Sequence, residues 1–143
     1  MKIEYSNYDF SEEIFDWGKQ YKLTNECIIF HRLYDDQILD IFIYKKCELS
    51  KYIKIINDYM DWLGKHCKGY FEEAYCNLFD HKNKYDGNEW YFNIDCYAVD
   101  IKIDKNENIS AEIIGMAFSL DYNGWYHHDI KLEGMKIISW ERR

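Results

Sequence analysis

The sequence predicts a single α+β domain over residues 1–143, a mainly antiparallel sheet with a C-terminal meander and about two to three helices packed on one face. Three observations predict it. First, residues 109–141, ISAEIIGMAFSLDYNGWYHHDIKLEGMKIISWE, read as three β-rich runs separated by Asn123-Gly124 and Glu133-Gly134. Asn-Gly between apolar runs marks a hairpin, because both residues tolerate positive φ cheaply. Second, Leu49, Tyr52, Ile53, Ile56, Tyr59, Met60 and Leu63 recur at the spacing of one α-helical stripe. Third, 143 residues with 48% hydrophobic content suffice for one real core, and zero prolines with seven glycines leave nothing that reads as a linker.

Each element follows in order. Lys2 to Tyr8 reads as a short first strand. Ser11 with Glu12 and Glu13 reads as a helix start, a hydroxyl cap followed by acids that suit the positive end of the dipole. Ile14, Phe15, Trp17 and Tyr21 would then form an amphipathic helix weakened by Gly18. Glu26 to Leu33 and Gln37 to Lys45 read as a hairpin turning at Tyr34-Asp35-Asp36. The second of these strands carries apolar groups on both faces, the pattern of an interior strand. The helical stripe breaks at Gly64 to Gly69, and a second helix carries Tyr70, Phe71, Ala74, Tyr75, Leu78 and Phe79 inward. Asp86-Gly87-Asn88 reads as a turn. Within Glu89 to Asp104 the second half alternates, Tyr97, Val99, Ile101 and Ile103 against Asp100, Lys102 and Asp104, as a half-exposed strand does. Lys105 to Asn108 turns the chain into the meander, where Ile113, Met116, Phe118, Ile130, Leu132 and Ile138 are the expected core. The sheet should have about six or seven strands.

The formal charge of −8 and pI near 5.1 argue against a nucleic-acid surface, which needs clustered Lys and Arg, and favour a basic partner. No stretch is apolar enough for a membrane span and the first residues carry no apolar leader, so the expected compartment is the cytoplasm. Cys27, Cys47, Cys67, Cys76 and Cys96 are odd in number and irregularly spaced, which suits reduced, mostly buried thiols.

No catalytic or metal pattern stands out. His127 and His128 are adjacent on a strand and point to opposite faces, so they cannot jointly hold one metal. His66, Cys67, Cys76 and His81 lack a helical pair on one face. A nucleophile built from Cys96 with His127 or His128 would need the sheet to bring them together, and Asp95 beside Cys96 would raise its pKa. The expectation is therefore a protein that is not an enzyme and takes no cofactor or metal. Tyr and Trp beside acids are the less ordinary feature, since rigid aromatic anchors next to steering charges are what an interface uses. That singles out Tyr34, Asp35 and Asp36, then Asp121, Tyr122 and Trp125, with His127 and Asp129 on the same strand face as Trp125.

Ile114-Gly115-Met116-Ala117-Phe118, Asp121 to Trp125, a histidine at 127 or 128, Ile130 and Gly134-Met135-Lys136-Ile137 together resemble a group of small, largely uncharacterised bacterial domains. The pattern departs at Trp125, which follows Asn-Gly and is not followed by an acid. In size and acidity the chain is also similar to immunity proteins of bacterial toxin systems, including contact-dependent inhibition. That resemblance implies a toxin-neutralising protein that binds a cognate toxin domain, often a basic nuclease, with no catalysis and no cofactor. It assigns no residues and leaves a homodimer open. Two other classes stand beside it: a small enzyme with a Cys/His/carboxylate cleft, and an accessory ligand-binding domain.

Overall fold

A computed structural model describes residues 10–23, 26–35, 37–44, 49–79, 84–119 and 124–143, with the backbone alone for residues 10–13, 84 and 85. The proposed strand at Lys2 to Tyr8 lies outside the described residues.

The chain opens with β1 (Phe10–Phe15) and β2 (Gly18–Leu23), an antiparallel hairpin in place of the expected helix from Ser11. Tyr21 and Leu23 are buried while Gln20 and Lys22 between them are half-buried, the period of a strand. Ile14 and Trp17, expected on an inward helical stripe, are exposed. Gly18 fixes the outcome: its φ is +153°, and a Cβ there would lie 1.8 Å from the carbonyl oxygen of Ile43. What a helix reading takes for a weakness is a close approach between strands that only glycine permits.

The hairpin expected around Tyr34-Asp35-Asp36 is also displaced. β3 (Cys27–Ile29) and β4 (Arg32–Tyr34) form a small two-stranded sheet that turns at Phe30-His31, with φ of 54° and 61°. Non-glycine residues at positive φ persist only where the surroundings hold them. Here Phe30 is buried against Phe71, Trp90 and Tyr91, and its amide and that of His31 donate to the carbonyls of Leu63 and Gly64, at 3.0 and 2.8 Å. β5 (Leu39–Ile43) leaves this hairpin and joins the large sheet as an interior strand.

A 3-10 turn at Leu49–Tyr52 leads into α1 (Ile53–Asp61), and a π-helical turn (Trp62–His66) follows near the expected break. Leu49, Tyr52, Ile56, Tyr59, Met60 and Leu63 are buried, as their spacing predicts. In α2 (Lys68–Leu78) Phe71 and Tyr75 point inward, but Tyr70 and Leu78 are exposed. α3 (Lys84–Asn93) runs through Asp86-Gly87-Asn88, where a turn was expected. A Cβ on Gly87 would come within 2.6 Å of the Glu72 carbonyl oxygen, so this glycine serves the α2–α3 crossing and not a turn.

β6 (Asp95–Ile103), β7 (Ile109–Ser119), β8 (Gly124–Glu133) and β9 (Lys136–Arg142) complete a seven-stranded sheet in the order β1-β2-β5-β6-β7-β8-β9. Every neighbouring pair is antiparallel except β5–β6, which is parallel with Ile41 opposite Ile101. One sheet face carries Ile41, Ile101, Ile113, Ile130 and Trp140 into a core shared with Leu49, Ile56, Phe71 and Trp90. Each such side chain contributes about 1.5–3 kcal/mol by leaving water. The protein is thus an α+β domain, mostly antiparallel, with a C-terminal meander. No helix among the described residues is long and apolar enough to cross a membrane.

Two bulges correct the expected faces. An extra residue between Cys96 and Ala98 buries Cys96 and turns Tyr97 outward, away from the Val99, Ile101 and Ile103 face. A register shift opposite Lys131 and Leu132 leaves Ile138 exposed on β9. Ile113, Ile130 and Leu132 are core as expected, whereas Met116 and Phe118 are half-buried on the opposite sheet face.

Candidate functional site

The sheet face turned away from the helices is the surface on which most of the described candidate residues meet. Strand pairing orders it into rows. At one end Phe118 opposes Trp125, their rings 5.5 Å apart and edge to face, and Trp125 is 62% exposed. In the next row Asp95, Met116 and His127 stand opposite one another, and the His127 backbone pairs with that of Arg143. The bulged Tyr97 joins them, its hydroxyl 2.9 Å from His127 Nδ1. Then come Ala98, Ile114, Asp129 and Glu141. The following row reads Lys22, Asp40, Asp100, Glu112, Lys131 and Ser139 across six strands. Phe42 and Lys102 lie beyond it, beside a corner where Trp17 packs with Phe15 and Tyr44 at 5.0 and 4.7 Å.

The aromatic end borders a groove of about 680 Å³ lined by Arg32, Phe92, Asn93, Asp95, Met116 and Trp125. Phe92, from the last turn of α3, is 54% exposed, so two large rings flank the opening. Arg32 is held at its wall by donating to the Ile94 carbonyl at 3.2 Å, with Asp95 at 3.9 Å.

The carboxylate row is electrostatically crowded. Burial, and next the facing Asp40, hold the Asp100 carboxyl above its ordinary pKa. Burial also raises the Glu112 carboxyl, with the neighbouring Asp129 carboxyl adding to the rise. Lys22 lies 3.6 Å from Asp40 and Lys131 3.7 Å from Glu112, ion pairs too long for good hydrogen bonds. Asp40 Oδ1 and Asp129 Oδ1 are shielded from solvent with no hydrogen-bond partner among the described residues.

Trp125, His127 and Asp129 are brought together on this face, as strand alternation predicts. Asp36, Asp121 and Tyr122 lie outside the described residues. Tyr34 is buried: its hydroxyl donates to the Ile94 carbonyl at 3.3 Å and accepts from the Cys96 amide at 3.0 Å. It is an internal brace for the start of β6, and Asp35 beside it is exposed. Asp40, Asp100 and Glu112 went unsingled in the sequence. Their signal was the polar half of each strand's alternation, which says nothing of alignment until the strands are paired.

The other candidate chemistry sits in the core. His128 is 2% exposed and its Nδ1 accepts from Trp140 Nε1 at 3.0 Å, while burial, and then Arg142, lower its pKa to about 4. Cys96 shares a cross-strand row with His128, but Gly115 of β7 stands between them. Burial pushes the Cys96 thiol up to about 12, with Asp95 adding to the rise, the wrong direction for a nucleophile. Cys67 is raised likewise to about 12 by burial. Among the described residues no group of three or more His, Cys, Asp or Glu is placed to hold a metal ion.

No family model, curated protein or solved structure matches the chain.

Proposed function

We propose that the protein is an immunity-type binding protein that neutralises a cognate, basic toxin domain by covering its active site or substrate-binding surface. The observation that carries this reading is the sheet face turned away from the described helices, which holds Trp125 62% exposed beside a groove flanked by Phe92. An exposed indole held by a strand is a rigid anchor of large area and small entropic cost, the kind of residue that dominates binding energy. The net charge of −8 supplies the steering that a basic partner would feel before contact.

The test is whether the neighbouring upstream gene encodes a large secreted protein with a variable C-terminal domain, followed by co-purification of that domain with this chain and rescue of growth when both are expressed. The expected result is a stable complex whose association slows with added salt, because long-range attraction is screened over about 10 Å at 0.1 M. Trp125→Ala should weaken the complex by about 2 kcal/mol or more. Failure of the pair to bind, or of the protein to restore growth, would sink the reading.

A further inference from the structure

We propose that the middle of this sheet face receives arginine side chains of a protein partner, seated on the cross-strand row that runs from Lys22 through Asp40, Asp100 and Glu112 to Lys131. The inference rests on reading the chain as a partner-binding protein, and does not need that partner to be a toxin.

Register carries the argument. Asp40, Asp100 and Glu112 stand directly opposite one another on three consecutive strands. Like charges in directly opposed positions destabilise a sheet, whereas an uncovered face needs only mixed charges to stay wetted. A row of K-D-D-E-K therefore departs from what solubility alone would select. The two lysines stand at its ends, and among the described residues Asp100 at its centre makes no ion pair. The side chains of Asp40 and Glu112 are about four-fifths buried, and the repulsion between Asp40 and the facing Asp100 is poorly screened by water.

A cation laid across the middle of the row would relieve that repulsion. The guanidinium suits the position better than an ammonium: its planar fork can bridge two carboxylates, it gives up hydration more readily, and it stacks on rings. Rings are present at both ends of the face, Phe42 with Trp17 on one side and Phe118 with Trp125 on the other. A basic segment lying along the strands would thus meet carboxylates at its centre and aromatic surface at its ends.

The experiment uses the full chain and an oligo-arginine peptide, with oligo-lysine and oligo-citrulline peptides of equal length as controls. Carboxyl carbon shifts are followed by NMR and affinity by calorimetry. The expected result is that arginine binds more tightly than lysine, citrulline does not bind, and the shifts concentrate at Asp40, Asp100, Glu112 and Asp129. The double variant Asp100→Asn/Glu112→Gln should bind arginine on the order of tenfold more weakly. Because it removes like-charge repulsion, it should fold with an unchanged or higher Tm. Shifts confined to helix acids such as Glu72 and Glu73, equal affinity for lysine, or undiminished binding by the double variant would overturn the proposal. So would a marked fall in its Tm, which would make the row a structural ion-pair network. Failure of the toxin test with the wild-type chain would remove the immunity reading and leave the peptide result standing.

Discussion

His127 and His128 are neighbours of one residue type with opposite fates. His127 lies on the uncovered face with Tyr97 at its ring, and His128 is enclosed by Tyr75, Phe79, Trp90 and Trp140. The acceptor role of His128 Nδ1 toward Trp140 needs a neutral ring, so protonation would both bury a charge and break that bond. Its folded pKa of about 4 lies below the ordinary 6.5. The unfolded chain therefore binds the extra proton between these values, and stability should be full above pH 6.5 and fall as the pH drops toward 4, by about 3 kcal/mol. Asp100 and Glu112 act in the opposite sense, since their raised folded pKa values favour the folded state as pH falls. They are common to wild type and His128→Gln, so the difference between the two proteins isolates the histidine. Urea unfolding of both at pH 7 and pH 4 is the measurement, and equal losses in the two would refute the assignment. Strand alternation separated the two histidines in the sequence. Tyr97 escaped the same logic because a bulge adds a residue and inverts the alternation before it, and no residue type announces a bulge.

The elements were legible where a pattern was long and locally consistent. The stripe from Leu49 to Leu63 and the turns at Lys105–Asn108 and Glu133–Gly134 needed no distant information to be read. The first hairpin was not legible, because Ser11 with two acids imitates a helix start and the deciding contact, Gly18 against Ile43, comes from a distant strand. Gly18→Ala should accordingly cost on the order of 3 kcal/mol, since it strains the backbone and drives β2 away from β5. A change below about 0.5 kcal/mol in chemical denaturation, the size of an ordinary surface substitution, would show that this close approach does not hold the hairpin. The Phe30-His31 turn was hidden for a related reason. Neither residue favours positive φ, and the compensation comes from carbonyls freed by the π-helical turn of another element.

For the molecule as a whole, the α+β class and the meander could be read from residue order, but the composition of the uncovered face could not. It depends on which strands become neighbours, and β5 reaches β6 only across the entire helical layer. Among the described residues that parallel join is the one ladder linking β1, β2 and β5 to the C-terminal four strands. The meander needs only short turns to form, whereas the join must close a long loop, whose entropy opposes it until packing compensates. The meander should therefore be organised first in the folding transition state and the join last. Ile113→Val should then slow refolding, while Ile41→Val should chiefly hasten unfolding, each at a cost of about 1 kcal/mol. Stopped-flow chevrons would decide it, and a φ-value at Ile41 as large as that at Ile113 would reverse the order. Asp40 and Asp100 face each other across this same join. The charged row is consequently complete only at the final closure, so a partner that needs Asp40 beside Asp100 distinguishes finished molecules from half-folded ones.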